Sequence, residues 1–334
     1  MRIIVPMAGW GSRLRPHTLT VPKPMLKVAG KSIVERLISN IYNTIDDKIE
    51  SITFIIRNDF GAKIEQELMT IAAHYNTKGI IQYQEEPLGT AHAIYCAGDA
   101  LQGPIIVGFA DTMFDANFKL DEQSDAIIWV KQIPNPEAFG VINTNPDGTI
   151  KGFVEKPKEF VSDLAIIGIY YFKDGANLRE EIKYLLDNNI TDKGEFQLTT
   201  ALENMRVKGN IMRPGTVTEW LDCGNKNATV ESNQEILKNK TENNSTHPSA
   251  VIENSMIIPP CYIAEDVIIK NSIVGPFASI MPKSFIDHSV VENSIVQEKS
   301  TISYRIISNS MIGANASING RAEDLSVGDY NQIN

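Results

Sequence analysis

Near the N-terminus, the run Ala8-Gly9-Trp10-Gly11-Ser12-Arg13 has residue types and spacing suited to holding an anion. A glycine-rich turn after an apolar strand brings bare backbone N–H groups close to negative charge. Gly9 and Gly11 would allow close approach and positive φ. Arg13 adds a planar fork for phosphate oxygens. Lys23, held between Pro22 and Pro24, is a stiffly positioned point charge. Positioned positive groups are what phosphoryl-type transfer needs, because its transition state spreads charge over equatorial oxygens. Asp111, in Gly108-Phe109-Ala110-Asp111, follows an apolar run, and a carboxylate at a strand's carboxyl end suits Mg²⁺, which takes oxygen ligands and keeps several waters. Each feature also has a plain reading: a glycine pair makes tight turns, and an Asp can cap a helix. No Gly-Lys-Ser/Thr follows the glycines, so this is not a Walker A loop, and Arg13-Leu14 stand in the wrong places for a dinucleotide fingerprint.

The whole run Gly9-x-Gly11-Ser12-Arg13-Leu14-x-Pro16-x-Thr18-x3-Pro22-Lys23-Pro24-Met25 is far more specific. It resembles the signature of the sugar-1-phosphate nucleotidylyltransferases, glucose-1-phosphate thymidylyltransferase and uridylyltransferase types included. Ser12 replaces the usual Thr, and the glycine run is one residue shorter than thymidylyltransferases often carry. Gln84-x4-Gly89-Thr90-Ala91 is similar to the family's base-binding loop; a Gln amide can donate to and accept from the edge of a uracil or thymine ring. His92, next in line, reads as an ordinary helix residue. Asp222, in Trp220-Leu221-Asp222-Cys223-Gly224, matches the second metal carboxylate. Phe139-Gly140-Val141 and Glu155-Lys156-Pro157 resemble the sugar-binding strands, and Gly168-Ile169-Tyr170 and Lys193-Gly194-Glu195-Phe196 continue the match more loosely. The resemblance, over about residues 2–225, implies a set of roles. Arg13, Lys23 and Lys156 are the phosphate-handling catalytic residues. Ala8, Gly9, Gly11, Ser12, Gln84, Gly89 and Thr90 bind nucleotide. Gly140, Glu155, Tyr170 and Glu195 bind sugar, and Asp111 and Asp222 hold Mg²⁺.

The elements that must carry these residues alternate over the first 235 or so positions. Short apolar runs at Arg2–Pro6, Ser51–Ile56, 79–83 and 104–109 read as strands, and amphipathic stretches at 32–42, 60–75 and 89–100 read as helices. That alternation predicts a doubly wound, mainly parallel Rossmann-like sheet. Closely spaced strands at 126–130, 139–143, 150–155 and 165–172 read as an inserted antiparallel layer, and helical patterns return at 178–186, 196–205 and 226–237. The polar run 239–248 reads as a linker between a catalytic domain, 1–238, and a second domain, 249–334. There Ile257, Ile263, Ile269, Val274, Ile280, Ile286, Val291, Val296, Ile302 and Ile307 recur every five to six residues, with Gly275 and Gly313 at corners. A short apolar period of this kind predicts a β-solenoid, and it resembles the hexapeptide repeat of left-handed parallel β-helices. Residues 325–330 would cap its last coil.

Composition narrows the function. The chain has 334 residues, 43% of them hydrophobic, and a formal charge of −10. It shows no basic stripe, so nucleic acid is an improbable partner. Cys96, Cys223 and Cys261 lack disulfide or zinc spacing. No run of about 18 apolar residues exists and the first apolar run is too short for a signal peptide, so the expected location is the cytoplasm, where the sequons at Asn239, Asn243 and Asn244 are silent. The expected reaction takes an NTP (dTTP first, UTP second) and a sugar 1-phosphate to an NDP-sugar and pyrophosphate; guanine-selective relatives share much of the frame. Two rivals are a catalytically dead regulatory subunit, disfavoured because Arg13, Lys23, Asp111 and Asp222 are all present, and a bifunctional enzyme with acyl transfer at His288 of the repeat. Repeat coils favour self-association, so a homo-oligomer is expected.

Overall fold

A computed structural model describes residues 1–45, 47–116, 120–121, 123–239, 245–321 and 326–327. Two compact units emerge, one of residues 1–26 and 31–224 and the other of residues 27–30 and 225–334. Compactness therefore divides the chain earlier than the polar run does, because the helix Lys226–Asn239 groups with the C-terminal strands.

In the first unit, β1 (Arg2–Pro6), β2 (Ser51–Ile56), β3 (Lys78–Tyr83) and β4 (Ile105–Gly108) are parallel and lie in the order β3-β2-β1-β4. This is doubly wound topology, and the order reverses between β1 and β4. Residues of β1 alternate sides: Ile4 joins a core with α3 (Thr90–Tyr95), α4 (Gly175–Asp187) and α5 (Leu198–Val207), while Ile3 and Val5 join one with α1 (Ile33–Thr44) and α2 (Gly61–His74). A sheet buried on both faces needs continuous apolar strands, which is why Ser51–Ile56 is buried at every position.

β5 (Thr112–Asp115) leaves this sheet. The next strands are β6 (Ala126–Gln132), β7 (Gly140–Thr144), β8 (Ile150–Glu155) and β9 (Leu164–Phe172). They do not make a separate layer as expected. β9 pairs antiparallel with β4, so the insertion extends the same sheet, which also takes in β10 (Met212–Thr216) beside β6. The helix expected over 89–100 stops at Tyr95 and gives way to a short 3-10 turn, with Gly98 at φ +59.

The second unit is built from short parallel strands in three sheets. Each circuit of the chain adds one strand to each sheet: Tyr262–Ile263, Ile268–Lys270 and Ile273–Val274, then Ser279–Ile280, Phe285–Asp287 and Val290–Glu292. Ile268 pairs with Phe285, Phe285 with Thr301 and Thr301 with Ser317, so circuits run 17, 16 and 16 residues. This arrangement is consistent with a β-helix. The recurring residues Ile263, Ile269, Val274, Ile280, Ile286, Val291, Val296 and Ile302 are the inward positions and form its core. Ser245–Thr246, expected within a linker, already pairs in parallel with Tyr262–Ile263. Residues 240–244 of that expected linker, including Asn243 and Asn244, lie outside the described residues, as do residues 325 and 328–330 of the expected cap. Among the described residues, no helix is long and apolar enough to cross a membrane.

Ile286 is fully buried in the second unit's core, between coil neighbours Ile269 and Ile302. Ile286→Ala should therefore cost about 2–5 kcal/mol. Calorimetric unfolding would show this as a lower midpoint for one transition.

Candidate active site

The site lies where the strand order reverses, at the carboxyl ends of β1 and β4, as expected for ligands of open α/β sheets. Beyond β1 the chain forms the glycine loop; beyond β4 it reaches Phe109, Ala110 and Asp111. Both segments line a cavity of about 400 Å³, together with Lys23, Gln84, Gly89, Thr90 and Glu195.

Gly11 adopts the left-handed conformation, φ +60, and precedes a 3-10 turn, Ser12–Leu14. Its carbonyl accepts from Thr18 Oγ1 at 2.8 Å, and a Cβ there would stand 3.0 Å from Lys23 Cβ. Loop and lysine are thus packed together, which explains why Gly11 and Pro22-Lys23-Pro24 belong to one motif. Gly9 does not have positive φ and would have open space around a Cβ, so the conformational argument holds for Gly11 alone. Arg13 is exposed at the cavity wall.

Lys23 is nearly buried, and its Nζ lies 3.0 Å from Asp111 Oδ2. Asp111 is not in a strand; it sits at the turn into β5. That strand pairs antiparallel with β11 (Glu219–Asp222), with Thr112 opposite Asp222. Cys223 N donates to Asp111 O at 3.1 Å, and Gly224 N to Asp222 Oδ1 at 2.9 Å. A two-stranded ribbon thereby brings together carboxylates 111 positions apart in sequence. Burial pushes the Asp222 carboxyl above the usual carboxylate range. Repulsion from Asp111 adds to this, and Lys23, the Gly224 amide and Arg13 oppose it. Such a pair, short of compensating charge, fits a divalent cation with oxygen ligands and retained waters. Among the described residues no group of three or more His, Cys, Asp or Glu forms a larger metal cluster.

On the base side, Gln84 is buried at the end of β3. Its Nε2 lies 3.3 Å from Gly89 O and 3.1 Å from His92 Nδ1. Gly89, at φ +122, is required by the chain packed on it: a Cβ would fall 2.5 Å from Phe196 O. Thr90 Oγ1 accepts from Leu198 N at 2.9 Å and donates to Gln197 Oε1 at 3.2 Å, and Gln197 Nε2 donates to Glu195 Oε2 at 3.0 Å. The second-row residue Gln197 was not legible in the sequence, nor was Arg57, whose guanidinium lies 3.3 Å over the Trp10 ring at the edge of the loop.

The expected sugar-binding residues form a neighbouring group rather than part of the cavity wall, Glu195 excepted. Glu155 accepts from Thr199 Oγ1 at 3.3 Å and lies 3.5 Å from Lys156 Nζ. A Cβ on Gly140 would stand 3.0 Å from Glu155 Oε2, so Gly140 makes room for that carboxylate. Lys156 has φ +44, and Lys193 Nζ braces this bend by donating to the carbonyls of Glu155 (2.8 Å) and Lys156 (3.1 Å). Tyr170 is a core residue, edge-on to Phe109, and burial together with the charges of Glu155 and Asp111 pushes its hydroxyl far up.

His288, the histidine of the repeat, has φ +43 and occupies the corner also held by Asn254, Asn271 and Tyr304 in other coils. Its Nδ1 lies 2.8 Å from Asp287 Oδ1, and its ring stacks on Tyr304 with centroids 4.9 Å apart.

A family model described as nucleotidyl transferase matches residues 3–239. The bifunctional protein GlmU of Methanococcus aeolicus is 31% identical over 265 residues, 77% of this chain and 60% of that protein. The chain thus spans about 60% of the length of that relative. A glucose-1-phosphate thymidylyltransferase of Streptomyces griseus is 26% identical, covering 91% of this chain and 89% of its own length. In fold, a UDP-glucose pyrophosphorylase solved with UDP-glucose superposes with a TM-score of 0.59 at 22% identity, over 72% of this chain and 99% of that one.

Because the Asp222 carboxyl is raised, its ionised form costs stability in the fold. The cost is absent below the unfolded value, about 4, and grows as pH rises through the folded value. Asp222→Asn should therefore raise the unfolding midpoint at neutral pH in chelator-treated buffer. The gain should vanish as pH falls toward about 4, as read by thermal unfolding across that range.

Proposed function

Because the chain belongs to the nucleotidyl transferase family, as a sugar-1-phosphate nucleotidyltransferase, we propose that it couples dTTP, or secondarily UTP, to glucose 1-phosphate with release of pyrophosphate. The observation that carries this reading is the convergence of Arg13, Lys23, Asp111 and Asp222 where the strand order reverses, with Gln84 on the same cavity. A sugar-phosphate oxygen attacks the α-phosphorus in line; the new P–O bond forms as the bond to the β-phosphate oxygen breaks, and the electron pair leaves with pyrophosphate. The attacking phosphate is already anionic, so no strong general base is needed, and the chain's work is positioning and charge neutralisation. Arg13 faces the leaving pyrophosphate. Lys23 neutralises the nucleotide phosphates. Lys156, held at its bend by Lys193, receives the incoming sugar phosphate, and Glu155 and Glu195 accept from sugar hydroxyls. Mg²⁺ between Asp111 and Asp222 would supply further neutralisation of phosphate charge.

The thymidylyl preference is supported by the thymidylyltransferase relative, which matches along nearly its whole length. For the C-terminal unit we favour a left-handed β-helix that mediates self-association in the cytoplasm. The support is the hexapeptide-like spacing and the outward apolar residues Met256, Ile273 and Ile306, aligned along one of its sheets. A second activity, acyl transfer, is prompted by the name of the bifunctional relative. His288 supports it only weakly, because its position repeats a structural corner filled by Asn and Tyr elsewhere.

A pyrophosphate-release screen of dTTP, UTP, GTP, CTP and ATP against glucose, mannose and N-acetylglucosamine 1-phosphates tests the assignment. Arg13→Ala should lower kcat by roughly 100-fold or more while leaving the unfolding midpoint near wild type, and Asp111→Asn should lower kcat as much with a lower midpoint, because it takes the carboxylate from the nearly buried Lys23. Full activity in a folded Asp111→Asn protein would sink the reading.

A further inference from the structure

His92 answers to nothing in the reaction so far, yet its ring lies 3.1 Å from Gln84, a polar side chain on the cavity wall. Gly89 O is a carbonyl and can only accept, so the Gln84 atom 3.3 Å away must be the amide nitrogen. With Nε2 so placed, the ring nitrogen 3.1 Å from it, His92 Nδ1, has to be an unprotonated acceptor. The remaining proton then sits on His92 Nε2, which lies 3.9 Å from Cys96 Sγ, and burial favours the neutral ring. Both amide hydrogens of Gln84 are directed at protein acceptors, and among the described residues nothing donates to its Oε1. Gln84 therefore meets the cavity with an acceptor. Gly89 and Thr90 line the same wall, and among the described residues nothing accepts from their backbone N–H groups, as expected at the first turn of a helix.

We infer that His92 is a positioning residue that fixes the Gln84 amide with its oxygen toward the nucleotide, so that the pocket reads the imide edge of a base, a carbonyl beside a ring N–H. Resting on the nucleotidyl-transfer reading and on the base-binding role expected of Gln84, this assigns what holds that amide in its reading orientation. Uracil and thymine present O4 and N3–H, which match a backbone donor beside an acceptor. Cytosine presents the reverse, an amino donor beside a bare N3, and leaves both protein groups mismatched. A site built to hydrogen-bond one pattern discriminates strongly because the wrong ligand strands buried polar groups. Without His92, the amide keeps only its longer bond to Gly89 and can turn its nitrogen to the base. Spacing alone does not reveal this, since Gly-Thr-Ala-His reads as the start of an ordinary helix.

The test measures binding of dTTP, UTP and CTP to the full chain by calorimetry with Mg²⁺, alongside pyrophosphate release. Wild type should bind dTTP or UTP more than about 10-fold tighter than CTP, the worth of one to two hydrogen bonds. His92→Leu should cut that ratio by about 10-fold, through KM rather than kcat. His92→Asn, whose Oδ1 can replace Nδ1 as acceptor, should restore it to within about 3-fold. In the wild-type chain, nitrogen-15 imidazole shifts should report the neutral Nε2–H tautomer, a readout that needs no variant to fold. An Nδ1–H ring, or a folded His92→Leu protein with the wild-type ratio, overturns the inference while leaving nucleotidyl transfer standing. A wild-type chain that binds no nucleoside triphosphate overturns both.

Discussion

The Lys23–Asp111 ion pair is the contact on which the arrangement of the candidate site depends. It ties the segment after β1 to the segment after β4, across the point where the sheet's strand order reverses. A nearly buried ammonium is costly without a partner, and Asp111 supplies one. The lysine is in turn fixed by backbone: it opens a short 3-10 turn after Pro22 and packs under Gly11. Moving any one of these three parts moves the other two. The glycine loop, the lysine turn and the first carboxylate are therefore one mechanical piece.

Asp222, brought alongside by the β5–β11 ribbon, has its pKa raised by burial and by Asp111, with Lys23, the Gly224 amide and Arg13 opposing. Adding a cation to the carboxylates and phosphate oxygens to the basic groups would satisfy both halves together, which suits a site whose ligands arrive as a metal–nucleotide complex. The base end is arranged on the opposite principle. Gln84, His92 and Thr90 are tied by neutral hydrogen bonds to one another, to backbone and to the start of α5, so under the proposed reading they would discriminate by pattern rather than by charge.

The second unit obeys a different constraint. Each circuit can bury only about one aliphatic side chain per sheet, so its core is a column of Ile and Val stacked in register, and no single coil could be stable alone. Its sharp corners demand left-handed backbone. Asn, Asp and His take several of them, but Lys283, Lys299 and Tyr304 do so as well. Stacked neighbours, such as Asn254 on Asn271 and His288 on Tyr304, help to hold that conformation.

Local pattern determined a good deal by itself. The apolar runs at β1, β2 and β4 marked the parallel sheet, because strands buried on both faces have no polar alternation to confuse them. The five-to-six-residue recurrence of Ile and Val marked the coils, because each inward position repeats with the chain's own circuit. The Gly11–Lys23 motif showed through because its members are packed on one another and lie close in sequence. Tertiary structure decided what spacing cannot express. Antiparallel pairing joined the insertion to the main sheet instead of setting it apart. A two-stranded ribbon of β5 and β11 brought Asp222 to Asp111. The need for Gly89 came from the backbone of Phe196, and that for Gly140 from the carboxylate of Glu155. The orientation of Gln84 came from a histidine that the sequence treated as filler. In each case the deciding partner is distant along the chain or chemically ordinary by itself, and only folding put the two atoms within reach.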